Sequence, residues 1–163
     1  MRDQIRHIYP SITDDDFDVQ DDGAGPVIKR WSYAQPQPTQ AEIDAATLPA
    51  AKARRIEAIK AKRDTVKGEG VTVGAARFHS DPDSRIQQMG LVMMGANLPA
   101  VQWKTMGGSF VEMTPTLAGQ IFQATAARDI AVFGHAEALI AQVNAAASPE
   151  AVAAIDIEAG WPA

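Results

Sequence analysis

Cysteine is absent from the 163 residues, so disulfides, thiolate metal sites and thiol nucleophiles are excluded outright. A cysteine-free chain fits synthesis in a reducing cytoplasm. Aromatic residues are scarce at 6%, although 46% of the chain is hydrophobic, because much of that fraction is alanine. Alanine loses no side-chain entropy in a helix but fills little volume. The expectation is a helical protein with thin cores and close helix contacts. No run approaches the roughly 20 apolar residues of a membrane-crossing helix. Met1-Arg2-Asp3-Gln4 leads into no apolar stretch, so no signal peptide is expected. Nor is there a long basic run to neutralise phosphates, which argues against direct nucleic-acid binding.

Charge is present but unevenly placed. The formal net charge is −5, from 20 acidic and 15 basic residues. Asp14, Asp15, Asp16, Asp18, Asp21 and Asp22 crowd the start, and Lys52, Arg54, Arg55, Lys60, Lys62 and Arg63 follow later. Such asymmetry either steers one copy onto another chain or marks two solvated faces.

Local chemistry punctuates the chain clearly. Ile5, Ile8 and Tyr9 share a helical face until Pro10 closes the pattern. Phe17 and Val19 alternate with charges. Asp21-Asp22-Gly23-Ala24-Gly25-Pro26 is a turn, and Val27 to Tyr33 has strand composition, so a hairpin is predicted. Gln35-Pro36-Gln37-Pro38 reads as an extended linker. Thr39 with Glu42 forms a capping-box pattern that opens a helix. Pro49 separates it from a second helical stretch, Ala50 to Lys67, in which Ile56, Ile59, Arg63 and Val66 fall on one narrow stripe. A narrow stripe suits coiled-coil packing, and trimerisation through Ile56 and Ile59 is the corresponding expectation.

Beyond the Gly68-Glu69-Gly70 stop, residues 71–79 read as two short strands around a turn. Asp81-Pro82 opens a helix that carries Ile86, Met89, Val92, Met93 and Ala96 as an apolar face of helical spacing. Val101–Thr105 and Ser109–Met113 flank Met106-Gly107-Gly108 as a further hairpin. Thr114-Pro115 starts the longest helix, running to about Ala146. Its expected stripe is Leu117, Ile121, Phe122, Thr125, Val132, Phe133, Ala136, Leu139, Ile140 and Val143. Ser148-Pro149-Glu150 caps a last short helix. The fold class expected is α+β, mainly helical with short β-hairpins. Residues 1–34 form a small helix-hairpin module, 35–67 a proline linker with connecting helices, and 68–163 a C-terminal α+β domain.

Chemistry-bearing residues are dispersed. His7, His79 and His135 have no metal-ligand spacing. His79 is either a base held by Asp81 or a junction histidine bonded to the backbone, and the second reading is favoured because no partners converge. His135, near Phe133, reads as a packing histidine. Asp14, Asp16 and Asp18 alternate as in calcium loops but lack the loop's glycine and its terminal glutamate. The glycines from Gly68 to Gly74 follow a helix and precede a strand, the reverse of a phosphate-binding loop, and no nucleophile elbow is present. No catalytic residue, metal or cofactor is expected. Trp103 is expected in the core, and Met89, Met93 and Met94 as gap-filling core. Trp31 and Trp161 are either core anchors or interface residues. With Tyr33, Ile56 and Ile59 they make up the candidate interaction surface.

From about Arg54 to Pro162 the chain resembles the phage domain of unknown function called DUF4376. The resemblance rests on ordered elements: the basic helix ending at Lys67, Gly70 to Val73, Arg77-Phe78-His79-Ser80-Asp81 and Asp83-Ser84-Arg85. Val101 to Lys104, Gly107, Phe110-Val111, Thr114, Phe133 with His135, Ile155-Asp156 and Gly160-Trp161-Pro162 complete it. Phe17, Val19 to Gly23, Gly25-Pro26, Ile28, Trp31, Pro36 to Thr39 and Glu42 are similar to the opening of small phage tail proteins. These resemblances imply a non-enzymatic structural component of a phage tail, associated with fibre or baseplate and residing in the virion after synthesis in the host cytoplasm. Its implied partners are other tail or fibre proteins and further copies of itself. An assembly chaperone that binds a fibre subunit and leaves is the alternative, and a glycan-cleaving tail enzyme using a carboxylate pair a remote one.

Overall fold

The structure, a computed structural model, describes residues 1–162. It is α+β and mainly helical, with three separate two-stranded antiparallel sheets. The chain divides into two compact units. One comprises Met1–Ala58 and Ile140–Asp156, the other Ile59–Leu139 and Ile157–Ala163.

The first unit begins with helix α1 (Arg2–Ile8), followed by strands β1 (Phe17–Asp21) and β2 (Pro26–Trp31). The hairpin pairs Phe17 with Trp31 and Asp21 with Pro26, with a bulge between Asp18 and Val19. Asp21 makes the turn by accepting from the amides of Gly23 (2.9 Å) and Gly25 (3.1 Å). Ile5, Ile12 and Phe17 form a small core, with Tyr9, Val19, Ile28, Trp31 and Tyr33 packed around it. The segment read as a linker is held instead. Tyr9 donates its hydroxyl to the Pro36 carbonyl (2.9 Å), the Trp31 indole donates to that of Gln35 (2.8 Å), and Pro38 is buried. Aromatic side chains whose polar tips need partners thus fix a chain that composition alone marks as extended.

Helix α2 (Gln40–Ala45) starts at the expected capping box. Thr39 Oγ1 accepts from the Glu42 amide, and Glu42 returns a carboxylate to the Thr39 amide at 2.7 Å. Helix α3 (Thr47–Gly68) follows after one residue. Pro49 therefore lies inside its first turn rather than before it, at a position where no amide is required. In the same unit Lys52 donates to the Asn144 carbonyl (2.7 Å) and Arg55 to those of Ala153 and Ile155. These contacts tie α3 to the end of α5 (Pro115–Ala145) and to the segment after α6 (Pro149–Ala153).

The second unit holds the hairpin of β3 (Val71–Val73) and β4 (Ala76–Phe78), helix α4 (Pro82–Met94), and a 3-10 turn at Gly95–Asn97. The hairpin of β5 (Val101–Lys104) and β6 (Phe110–Met113) and most of α5 complete it. Gly74 opens the first hairpin's two-residue turn with φ of 61°. Asp81 caps α4, accepting from the Ser84 amide at 3.0 Å, and Thr114 caps α5, accepting from the Leu117 amide at 3.1 Å. Val71, Phe78, Met113, Ala118 and Ile121 form the core, joined by Leu91, Val92, Val101 and Trp103. Trp103 packs there as expected.

The last carbonyls of α3 are capped by side chains from distant positions. Ser80 Oγ donates to Lys67 O (2.6 Å) and accepts from the Gly70 amide (2.9 Å). Arg85 also donates to Lys67 O (3.0 Å), and Arg128 donates to Val66 O. Two of the orphan acceptors of this helix end, the Val66 and Lys67 carbonyls, are thereby satisfied inside the unit.

Candidate functional site

The titratable residues are largely spent on structure. His79 Nδ1 stands 3.9 Å from Asp81 Oδ2, and both are well exposed. Hydrogen bonds from the Ser84 hydroxyl and amide lower the Asp81 carboxyl below its ordinary range; nearby His79 adds less. The His79 carbonyl accepts from Gln88 at 2.7 Å. His135 packs edge-on against Trp161 (centroids 4.7 Å apart), with Nε2 3.2 Å from the Ala159 carbonyl. Gly160 makes that approach possible: its φ is +82°, and a Cβ there would lie 2.9 Å from the imidazole.

The acidic series is likewise engaged. Asp14 pairs with Arg6. Asp16 accepts from the Thr13 amide (2.8 Å) and hydroxyl (2.7 Å), and Asp18 accepts from Arg2 (2.8 Å) and Gln20 (3.0 Å). The Thr13 bonds lower Asp16, and the Gln20 bond, then Arg2, lowers Asp18. Among the described residues no group of three His, Asp or Glu side chains is placed to hold a metal. The buried polar side chains there are Ser80, Gln88, Thr105, Thr125 and Arg128, with no carboxylate among them. Among the described residues no helix is long and apolar enough to cross a membrane.

Of the candidate interaction residues, the structure brings only Trp31 and Tyr33 together. Their rings are 6.2 Å apart, half-buried against Tyr9 and Phe17 in the first unit. Ile56 is half-buried on α3. Ile59 is 0% exposed, so the pair forms no exposed stripe. Trp161 leans on His135 and donates to Ile157 O (2.9 Å).

The surface the sequence reading missed lies on α4 and α5. Ile86 (69% exposed), Met89 and Met93 (82%) recur at i, i+3 and i+7 on α4 and face solvent, as does Met94. The expectation that Met89, Met93 and Met94 are gap-filling core is therefore corrected. The side of α4 turned inward carries Gln88 and Leu91 together with Val92 of the expected apolar face. Helix α5 keeps most of its expected stripe inside. It buries Ala118, Ile121, Thr125, Arg128, Val132, Ala136, Leu139 and Val143, while Phe122 and Ile130 (75%) stand in solvent. Phe133, also expected inside, is half-covered by the cations of Arg63 (4.8 Å) and Lys67 (4.9 Å) over its ring.

Between the helices lies a groove of about 280 Å³, lined by Ile86, Met89, Phe122, Thr125 and Ala126, with the Arg85–Asp129 pair beside them. Arg85 Nη2 donates to Asp129 at 2.9 Å, a forked pairing in which the two charges lining the groove neutralise each other. Thr125 Oγ1 is buried without a hydrogen-bond partner. A larger cavity of about 540 Å³ in the first unit is lined by Met1, Gln4, Arg54, Arg55 and Val152. Of its arginines, Arg54 pairs with Asp3 (3.1 Å) and the Arg55 Nη2 donates to backbone carbonyls. The signal for the α4 face was present in the sequence: residues 86–94 are apolar on both sides, and two four-residue strands can cover only one.

Fold and site together define a mainly helical α+β protein whose most distinctive surface is apolar. The chain belongs to the family described as Domain of unknown function (DUF4376), whose model matches residues 50–159. Residues 1–55 are similar to the family described as XkdW protein. Taken together, the two matches make this a phage-associated protein. No curated protein and no solved structure matches the chain.

Proposed function

We propose that the chain is a non-enzymatic structural component of a phage tail, at the fibre or baseplate, that works through protein–protein assembly in the virion. The observation that carries this reading is the solvent-facing apolar surface of α4 and α5. A monomer gains nothing from placing Ile86, Met93 and Ile130 in water, and contiguous apolar patches of this size are characteristic of interaction sites. The two family matches supply the phage context. The polar groups elsewhere serve caps, turns and ion pairs.

Mass spectrometry of purified particles tests the proposal. The expected result is the protein at fixed stoichiometry with known tail components. Presence in infected-cell lysate but absence from particles overturns the structural role in favour of an assembly chaperone that binds a fibre subunit and departs.

A further inference from the structure

We propose that the exposed face of α4 and α5 is a two-fold interface with a second copy of this chain. The inference deepens the assembly role and rests on it. Three observations point to this occupant. Ile86, Met89 and Met93 repeat at the spacing of a helix–helix seam, and Gly90 lies among them with open space where a Cβ would stand, so another helix can approach closely. Next is area. With Phe122 and Ile130, these side chains expose on the order of 600 Å² of apolar surface, near the ~800 Å² per partner of a stable interface.

The third is charge. The second unit carries eight Lys and Arg and eight Asp and Glu, so it is formally neutral, and the whole net charge of −5 belongs to the first unit. A face on the neutral unit, with Arg85 and Asp129 already paired, meets its own copy without like-charge repulsion. A partner selected by charge would need an unbalanced surface.

The absence of cysteine makes the test direct. In the full-length protein, Met93→Cys places a single thiol in the seam, and Asp44→Cys places one on exposed α2 as a control. Mild oxidation should link the first variant into a covalent dimer and leave the second without a cross-link. Light scattering of the unmodified protein should give twice the 17.4 kDa chain mass, falling to the monomer in Met93→Glu. Met93 is exposed, so the circular dichroism of Met93→Glu should be unchanged. A monomeric unmodified protein, a Met93→Glu dimer, or equal cross-linking of both thiols overturns the proposal. Because these measurements use purified protein, they can fail while the particle proteomics succeed, which would give the face to a different tail protein.

Discussion

Gly70 shows how a single residue can set a junction. Its φ is +98°, and a Cβ would meet the Phe78 carbonyl oxygen at 2.8 Å as well as the Met106 sulfur. The backbone oxygen belongs to a hairpin and cannot swing aside. Gly70→Ala is therefore expected to cost about 2–4 kcal/mol, left-handed backbone plus clash, whereas Gly74→Ala, positive in φ but in open space, should cost only about 1. Thermal unfolding of the two variants measures the difference. Arg128 makes the complementary case. Its buried guanidinium donates to Val66 O and reaches Glu69 at 3.4 Å and Pro162 O at 3.4 Å. Arg128→Met keeps the aliphatic stem but strands the Val66 carbonyl, so a loss of about 2–4 kcal/mol in urea unfolding is expected. Neither role was legible in the sequence. A helical arginine reads as a solvated charge, and what buries it is a carbonyl 62 residues away.

At the scale of elements, the legible features were those decided within a few residues. The capping box at Thr39, the Asp81 and Ser148 caps with their following prolines, and all three hairpin turns have local causes, and each stands where it was expected. These caps carry a pH dependence. Asp16, Glu42 and Asp81 are each lowered, chiefly by hydrogen bonds from Thr13, Thr39 and Ser84, so their carboxylates are favoured in the folded chain. A lowered carboxyl contributes stability above its unfolded value and loses it as pH falls through the folded one. Lys62 is raised above 10.5 by Glu158, and its contribution is present below that value and lost as pH rises through the folded one. The urea midpoint is thus expected to be level from about pH 5 to 10 and to fall on both sides. Thr39→Ala removes the cap acceptor and should lower stability by about 1 kcal/mol at pH 7.

Helix faces were less legible than helix ends. On α5 the stripe read from periodicity was largely the buried one, through Ile121, Thr125, Val132, Ala136, Leu139 and Val143, whereas on α4 apolar residues outnumber the positions a thin hairpin layer can cover, so periodicity identified that helix but not which side is inside. Ile59 repeats the lesson in reverse: it was placed on an interaction stripe, yet it is fully buried. Aspartate there would unfold the chain before it could report on association.

Across the whole molecule, two kinds of association were conceivable, and salt separates them. The acidic residues from Asp14 to Asp22 and the basic residues of α3 could attract between copies, a contact between exposed charges that weakens as ions screen it. Several of those charges are already satisfied within the first unit: Asp14 by Arg6, Asp18 by Arg2, Asp22 by Lys29, and Arg54 by Asp3. Little attraction is left for a second copy, and a net charge of −5 held in that unit opposes its approach to its like. The α4–α5 face depends instead on removing apolar side chains from water, which added chloride hardly affects and sulfate strengthens. Sedimentation of the full-length protein from about 50 to 500 mM NaCl is therefore expected to give a dimer constant that stays level or tightens, since the screening length shrinks severalfold while the apolar contact is untouched. A tenfold weakening over that range would place the association on the charged segments instead, because only a contact held by exposed ion pairs loses that much to screening.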